Sequence, residues 1–258
     1  MEQPLVSILI PAYNKPQFLE IALGTVLSQT YSNLEIIICD DSTNDGVQKM
    51  ITPYLAKYPQ IQYFNNGGPL GQYGINNGSK CLELSTSDYV NFLMDDDIFY
   101  PTKIEKMMKY LQDDEVTMVT SQRIRIDGDG KLLPDITATK SITSIVRKFD
   151  GIELGRTMLL KKRNFIGEPT TVLFKKKYIE GFGLFMGRQY LCNVDMAMWL
   201  SLLSKGKCVY IPETLSSFRI HNNFQKTFDK NIRKSGKEEL NYLIEDGEKS
   251  GFFSELPF

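Results

Sequence analysis

Short apolar runs alternate with amphipathic stretches through the first half of the 258-residue chain, and this alternation constrains the fold more than any other feature. The apolar runs have the length and composition of buried strands, and they cover residues 5–10, 34–39, 61–64 and 89–94. The stretches that follow place apolar side chains on one helical face, over residues 16–27, 47–57, 71–84 and 101–111. This pattern predicts an α/β fold whose central sheet is mostly parallel and flanked by helices.

The second half is less regular. We predict strands over 116–126, 170–174 and 207–211, a helix over 194–203, a hairpin turn at 127–130 and an irregular segment over 131–164. Pro11 is expected to end the first strand, because proline cannot donate to a sheet ladder. A charged helix after Phe224 is expected to pack back on the domain. The chain thus divides into a domain over residues 1–223 and a helical extension over residues 224–258.

Composition narrows the range of partners and compartments. A net charge of −1 argues against nucleic-acid binding. The four cysteines form no C-x-x-C pair, which favours a reduced, cytoplasmic setting. No basic leader and no apolar run near the ~20 residues of a membrane span is seen. Basic clusters at 161–163 and 175–177 are typical of solvated faces, with peripheral contact to an anionic membrane or acceptor as the alternative.

Carboxylates follow two of the predicted strands. Asp40 and Asp41 end the second, and Asp95, Asp96 and Asp97 end the fourth. In parallel sheets ligands bind beyond the carboxyl ends of the strands, so both groups belong at the ligand-binding edge. Adjacent carboxylates repel one another, and a hard divalent cation such as Mg²⁺ or Mn²⁺ suits them. The alternative is a solvated turn in which Asp97 caps the next helix.

Six pieces of the chain, in order over about the first 110 residues, resemble glycosyltransferase family 2, whose fold is GT-A. They are residues 6–14 (VSILIPAYN), 26–31 (VLSQTY), 35–45 (EIIICDDSTND), Asn66-x-Gly68, Asn76-x-Gly78 and 92–101 (FLMDDDIFYP). The resemblance implies an inverting, sugar-nucleotide-dependent enzyme. It also implies that residues 1–110 form the nucleotide-sugar-binding half and residues 111–223 the acceptor-side half.

The resemblance implies roles for particular residues in nucleotide and metal binding. Pro11, Tyr13 and Asp41 would form the base pocket, with Asp41 accepting the uracil N3–H, and Asn76 is a further candidate nucleotide contact. Asp95 would face the ribose or diphosphate. Asp96 would bind the metal, with Asp40 and Asp97 as additional candidates. The sequence departs from the family pattern at Met94, where the first acid of the metal motif is expected, and at Ile75, where an arginine is common.

The second half supplies the remaining candidates. Asp195, before the apolar helix at 196–200, is similar to the family's catalytic base, although it also suits a structural first-turn residue. Asn193 would orient the acceptor or cap this helix. His221, the only histidine, and Arg219 stand in an R-x-H segment that resembles the family's closing motif, whose histidine can reach the metal.

The predicted function is therefore metal-assisted transfer of a sugar from a nucleotide-diphosphate donor, with UDP-sugar expected, to an acceptor hydroxyl on a glycan, lipid-linked molecule or protein. Asp195 would be the general base. Two alternatives remain open. One is a degenerate GT-A module that binds a sugar nucleotide or a partner without turnover. The other is a Mg²⁺-dependent phosphatase or nucleotidyltransferase, although the first strand lacks the expected acidic nucleophile.

Overall fold

A computed structural model describes residues 3–221 and 230–254, with the side chains of 230–234 left out of the description. The strands are β1 Val6–Ala12, β2 Leu34–Asp40, β3 Ile61–Asn65, β4 Tyr89–Phe92, β5 Ile98–Phe99, β6 Val116–Ile126, β7 Leu132–Leu133, β8 Arg147–Phe149, β9 Leu173–Lys175, β10 Leu184–Phe185, β11 Arg188–Gln189 and β12 Lys207–Arg219. The α-helices are α1 Pro16–Leu27, α2 Gly46–Lys57, α3 Ile75–Leu84, α4 Lys103–Leu111, α5 Gly151–Leu160, α6 Val194–Leu203 and α7 Lys230–Lys249.

The central sheet is mixed. Its strand order is β3-β2-β1-β4-β9-β6-β12-β5, with β7 beside β6 and β8 beside β12. The pairs among β3, β2, β1 and β4 are parallel, whereas β9 runs antiparallel to both β4 and β6. Because β12 is parallel to β6, strands β1, β4, β6 and β12 all run in one direction. Their carboxyl ends therefore lie along the same edge of the sheet, as the predicted α/β fold requires.

The first strand differs from the prediction at its end. β1 continues through Pro11 to Ala12 and pairs with β2 as far as Asp40. β4 pairs with β1 only up to Leu9, so proline's missing N–H breaks no ladder on that side. The predicted helix over 71–84 begins as a short 3₁₀ turn at Gln72–Gly74 and becomes α-helical at Ile75.

The segment over 131–164 is more regular than expected. It contains β7, β8 and α5, and the Asp150 side chain caps α5 by accepting the Glu153 N–H at 3.0 Å. The sequence Asp150-x-x-Glu153 is a capping-box signal that the prediction overlooked. β12 is also longer than predicted, because a register shift after Ile211 lets it continue beside β6 to Arg219. The hairpin turn at 127–130 is confirmed by the pairing of β6 with β7.

The last described helix, α7, packs on the acceptor-side half through Leu243, which is fully buried. Phe252, just beyond it, is also fully buried and lies against α5. The predicted boundary at 223/224 and the start of the extension at Phe224 lie outside the described residues. Among the helices described, none combines the length and apolar composition that a bilayer span requires.

Candidate active site

The three consecutive aspartates after β4 are buried at the sheet edge. Asp95 and Asp96 are 4% and 5% exposed, and Asp97 is fully buried. The alternative of a solvated turn is therefore wrong for this segment. Buried carboxylates need hydrogen bonds or opposite charges, and the partners of the three residues differ.

Asp97 is tied into the fold. Its carboxylate accepts hydrogen bonds from the Thr170 hydroxyl and, at 2.9 Å, from the Arg219 backbone N–H. Burial, together with the neighbouring Asp96 charge, raises the pKa of Asp97 well above its ordinary value. Asp97 does not cap α4, whose N-cap residue is Thr102. Its geometry is that of a group that joins β4, β12 and the 3₁₀ turn Pro169–Thr171.

Asp96 and His221 come together although 125 residues separate them. The Asp96 Oδ2 atom lies 2.7 Å from His221 Nε2 and 2.7 Å from Lys15 Nζ. Lys15 also lies 2.8 Å from Asp95 Oδ1, and the other Asp95 oxygen accepts the Tyr13 N–H at 2.8 Å. The ends of β1, β4 and β12 thus converge on one charged cluster. The sequence predicted Asp95, Asp96 and His221 as members of one site, but it did not predict Lys15.

Burial and neighbouring charges shift the pKa values of Asp95 and Lys15 in opposite directions. Burial raises the pKa of Asp95 to about 6, although the Lys15 ammonium opposes the rise. For Lys15, burial would lower the pKa, but the Asp95 and Asp96 carboxylates outweigh it and the pKa is raised. The ammonium therefore stays charged and neutralises part of the acidic pair.

The donor set suits a divalent cation that is shared with substrate. A carboxylate oxygen and an imidazole nitrogen are ligands that Mn²⁺ accepts, and Mg²⁺ prefers oxygen. Among the described residues, no group of three or more His, Cys, Asp or Glu forms a ready-made metal cage. Asp96 and His221 can thus hold a cation whose remaining ligands come from phosphate oxygens and water. This is how Mg²⁺ is commonly bound beside phosphates.

Arg219 is a structural part of this edge. Its Nε donates to the Asp96 carbonyl at 2.7 Å, and its Nη1 donates to the carbonyls of Asp127 and Gly128. The guanidinium also lies over the Phe18 ring. At 3% exposure, Arg219 has little surface for a ligand, and its contacts instead fix β12 against the acidic turn.

A second group of polar side chains surrounds Asp41. Its carboxylate is 3% exposed and accepts hydrogen bonds from Asn66 Nδ2 at 2.7 Å and from the Leu70 N–H at 3.2 Å. Asn77 donates to the Cys39 carbonyl at 3.0 Å and accepts from Asn66. This network holds the end of β2 and the loop after β3 together beside β1.

The other candidates of this half have different surroundings. Pro11 is buried in β1, whereas the Tyr13 ring is 38% exposed beside the same edge. Asp40 points to Tyr63 and to the Ser42 N–H, at 2.7 and 2.8 Å. Asn76 donates to the Leu70 carbonyl at 2.8 Å and so stabilises the loop. Asn77, its neighbour, is linked to Asp41 through Asn66, which donates to both side chains.

Asp195 lies half-buried in the first turn of α6. At the other end of this helix, the Leu202 carbonyl accepts the Thr117 hydroxyl at 2.9 Å, next to the start of β6. One turn after Asp195, the Trp199 indole N–H donates to the Gly167 carbonyl at 2.8 Å. Gly167 shortly precedes the 3₁₀ turn Pro169–Thr171, whose Thr170 hydroxyl donates to Asp97.

The loop before Asp195 is held by the last helix. Glu239 of α7 accepts the backbone N–H groups of Leu191 at 2.8 Å, Cys192 at 3.0 Å and Asn193 at 2.8 Å. The Asn193 side chain donates to Glu239 and to the Gly236 carbonyl. Asn193 is the N-cap residue of α6 by position, but its side chain caps nothing there. The prediction of side-chain capping is wrong, because the amide is engaged by α7.

Sequence reasoning missed three residues of this region: Lys15, Asn77 and Glu239. Lys15 follows directly after the VSILIPAYN segment, so its place beside the acidic edge had a sequence signal. Asn77 adjoins the predicted Asn76. Glu239 had no signal, because nothing in its surrounding sequence indicates contact with residues 191–193.

A sequence model described as Glycosyl transferase family 2 matches residues 7–183, more than half of the chain. The chain belongs to this glycosyltransferase family. Family membership agrees with the resemblance of the first 110 residues and extends it through α5 and β9. It also favours a transferase over a phosphatase or a nucleotidyltransferase.

Curated relatives are similar in sequence over most of this family member. An uncharacterized Mycobacterium tuberculosis protein is 28% identical, over 83% of this chain and 66% of the relative. An uncharacterized glycosyltransferase of Rickettsia bellii is 25% identical, over 84% of this chain and 29% of the relative. TuaG of Bacillus subtilis, named for teichuronic acid biosynthesis, is 28% identical, over 86% of this chain and 81% of its own length. The chain thus spans less than two thirds of the first two relatives.

The fold is shared with a solved glycosyltransferase structure. The crystal structure of S. aureus TarS 1-349 in complex with UDP-GlcNAc superposes with a TM-score of 0.69 at 9% identity, covering 98% of this chain and 74% of that chain. At this identity the likeness shows the fold alone. The predicted GT-A fold is confirmed.

Proposed function

We propose that this family member is an inverting glycosyltransferase that moves a hexosyl or N-acetylhexosaminyl unit from a UDP-sugar to an acceptor hydroxyl, with Mn²⁺ or Mg²⁺ as cofactor. The observation that carries the proposal is the meeting of Asp96 and His221 at 2.7 Å, at the sheet edge to which Asp41 and Asp95 also belong. A carboxylate and an imidazole within reach of one cation are candidate metal ligands, and they lie at the sheet edge where ligands bind in α/β folds.

The nucleotide would bind at the ends of β1 and β2. The Tyr13 ring offers an apolar face to the base, Pro11 forms the floor, and Asp41 accepts the N3–H of uracil. The Asn66 and Leu70 hydrogen bonds keep the Asp41 carboxylate in place. Asp95 would face the ribose or diphosphate. The TarS 1-349 crystal structure contains UDP-GlcNAc, which supports a UDP-sugar here.

The leaving group would be held at the acidic turn. A bound divalent cation neutralises the negative charge that grows on the diphosphate as the glycosidic bond breaks. Asp96, through Oδ2, and His221, through Nε2, would hold it. Asp97 would not be a ligand, because it is fully buried and its carboxylate joins Thr170 to the Arg219 backbone.

Asp195 would act on the acceptor. An acceptor hydroxyl is a weak nucleophile, so a carboxylate within hydrogen-bond reach must take its proton. The hydroxyl oxygen then attacks the anomeric carbon, the carbon–oxygen bond to the diphosphate breaks, and the configuration inverts in one displacement. The position of α6 supports this role, because Trp199, one turn after Asp195, contacts Gly167 close to the Pro169–Thr171 turn that holds Asp97.

The acceptor would supply the hydroxyl that Asp195 deprotonates. The prediction of a glycan, a lipid-linked molecule or a protein stands, and the name of TuaG favours a glycan among them. Peripheral contact with a membrane would suit a lipid-linked acceptor. The basic cluster at 175–177 gives little support for membrane contact, because Lys175 and Lys176 donate to backbone carbonyls at 2.8 and 2.6 Å.

A donor panel tests the proposal. Wild type, Asp96→Ala and Asp195→Asn would be incubated with Mn²⁺ or Mg²⁺ and UDP-, GDP- and dTDP-sugars, and binding and nucleotide diphosphate release would be measured. We expect one UDP-sugar to turn over, with loss of about 10²–10⁴-fold in Asp195→Asn and retained donor binding. Asp114→Asn, in the exposed turn at the opposite edge, is the matched control. Binding of a sugar nucleotide without turnover by wild type would support the non-catalytic alternative.

A further inference from the structure

Lys15 has an unusual place at the acidic edge. It is the N-cap residue of α1 by position, with a backbone outside the helical region, and its side chain reaches across to the turn after β4. There the ammonium lies 2.8 Å from Asp95 Oδ1 and 2.7 Å from Asp96 Oδ2. The two carboxylates have side-chain exposures of only 6% and 7%, so the lysine supplies charge neutralisation that water cannot.

The ammonium and a divalent cation would need the same atom. Asp96 Oδ2, the oxygen that faces His221 Nε2, is also the oxygen that Lys15 contacts. A metal held between Asp96 and His221 would therefore meet the lysine at van der Waals distance and with like charge. Like charges this close repel strongly where little water screens them, so both cations do not remain in these positions.

We propose that Lys15 is a built-in counter-cation of the Asp95–Asp96 pair, which a divalent cation and the donor diphosphate displace together. Rotated away from the carboxylates, the ammonium would pair with a phosphate oxygen of the donor. The metal would then bind tightly only when a nucleotide diphosphate is present. This inference rests on the proposed function, because it takes the nucleotide diphosphate and the metal as ligands of this edge.

The side chains at this edge differ in how firmly they are held. Arg219 donates to three backbone carbonyls and lies over the Phe18 ring. The Lys15 ammonium is bound by the two carboxylates, and its side chain is 24% exposed. A lysine carries a flexible four-carbon stem and a compact charge. Lys15 can therefore change partners with little rearrangement of the backbone, whereas Arg219 cannot.

The test measures metal binding without turnover. Free Mn²⁺ would be followed by electron paramagnetic resonance while wild type, Lys15→Met and Lys15→Arg are titrated with the ion, first alone and then with UDP. Lys15→Met keeps the length of the side chain and removes its charge. Lys49→Met is the matched control, since Lys49 is an exposed helical lysine paired with Asp45.

We expect Lys15→Met to bind Mn²⁺ alone about tenfold more tightly than wild type. We also expect UDP to increase its Mn²⁺ affinity by a smaller factor than in wild type, because no ammonium remains to be displaced or to bind phosphate. Lys15→Arg and Lys49→Met should resemble wild type in Mn²⁺ binding. In thermal unfolding, Mn²⁺ should raise the melting temperature of Lys15→Met more than that of wild type, since at one ligand concentration tighter binding to the folded state stabilises it more.

Two outcomes overturn the inference, and they are distinguishable. If wild type binds UDP and Mn²⁺ but Lys15→Met binds Mn²⁺ alone no more tightly, the counter-cation role is wrong and the proposed function stands. If neither protein binds Mn²⁺ with or without UDP, the metal-dependent function fails along with it. Asp96→Ala, run in parallel, shows whether any Mn²⁺ signal comes from this edge.

Discussion

Two buried glutamates, one in the nucleotide-binding half and one in the last described helix, each accept several hydrogen bonds but stabilise different parts of the molecule. Glu35, in β2, accepts hydrogen bonds from Ser7, from the backbone and hydroxyl of Thr86 and from the Ser87 N–H. Glu239, in α7, accepts the N–H groups of the loop before Asp195. Both side chains are less than a tenth exposed.

The difference lies in what each glutamate holds. Glu35 joins β1, β2 and the turn before β4 at the edge where these strands begin, opposite the acidic cluster. Glu239 joins a helix to a loop at the edge where the chemistry is proposed. The nucleotide-binding half therefore anchors its strands from the far edge, whereas the acceptor-side half anchors the candidate base from a distant part of the chain. Loss of Glu35 should affect the fold, and loss of Glu239 should affect catalysis as well.

The largest expected effect is on stability. Glu35→Ala leaves several buried donors without an acceptor, and it should lower the free energy of unfolding by about 3 kcal/mol. Urea denaturation of wild type and variant measures this loss. Turnover per folded molecule should be unchanged. A large fall in turnover of fully folded Glu35→Ala would contradict this division of roles. It would show that the edge where the strands begin affects the candidate active site.

Glu239→Ala should lower turnover on the order of 10²-fold, because displacement of a catalytic group by about 1 Å can cost that much. The Michaelis constant for the donor should be unchanged, since the nucleotide contacts lie in the other half. Glu239→Gln should restore part of the turnover through its remaining amide oxygen. Steady-state kinetics checks these values, with Glu238→Gln, an exposed neighbour, as control. An equal loss in donor affinity would contradict a positioning role.

Helix packing offers a second comparison. A Cβ at Gly155 in α5 would come within 2.2 Å of the Phe252 ring, which docks the chain after α7. Gly155→Ala should therefore lower the free energy of unfolding by about 1–2 kcal/mol.

The control for that substitution lies in the other half. A Cβ at Gly24 in α1 would meet nothing within 4 Å, and Gly24→Ala should raise the free energy of unfolding by about 0.5–1 kcal/mol. Thermal and urea unfolding of both variants measure the pair. Equal effects of the two substitutions would show that α7 is not docked through Phe252.

The smallest effect concerns pH. Burial alone would raise the pKa of Glu35, but hydrogen bonds from Ser7, Thr86 and Ser87 outweigh it and lower the pKa below its ordinary value of 4.5. The stabilisation by ionised Glu35 is therefore present above pH 4.5 and is lost as pH falls through the folded-state pKa. The difference in unfolding free energy between wild type and Glu35→Gln should narrow on acidification below pH 4.5. A difference that widens would contradict the lowered pKa.

Much of the fold could be predicted because its signals are local. The bounds of β6 and α6 are those expected from sequence, and the alternation of strands and helices predicted the α/β class. Local sequence patterns did not predict the bounds of an element where packing against another element sets them. β12 continues past its predicted end because β6 runs beside it, and α5 was overlooked although its capping signal stands in the sequence.

The candidate site was likewise predicted in part from the sequence. The resemblance placed Asp41, Asp95, Asp96 and His221 at one edge, and the structure brings Asp95, Asp96 and His221 into one cluster. The resemblance gave Asp95 and Asp96 separate roles but kept Asp97 as an additional metal candidate. Asp96 faces His221, whereas Asp97 is engaged by Thr170 and Arg219, because successive residues of the turn point in different directions.

The sequence by itself determined the kind and order of the main elements, the family and the acidic edge, since these depend on periodicity and on motifs within short stretches. Only the tertiary structure decided which side chains meet there. Lys15 is 80 residues from Asp95 and His221 is 125 residues from Asp96 along the chain, and Glu239 reaches the loop before Asp195 from the last helix. Such contacts depend on how strands and helices pack, and packing joins residues whose separation in sequence carries no signal of their proximity.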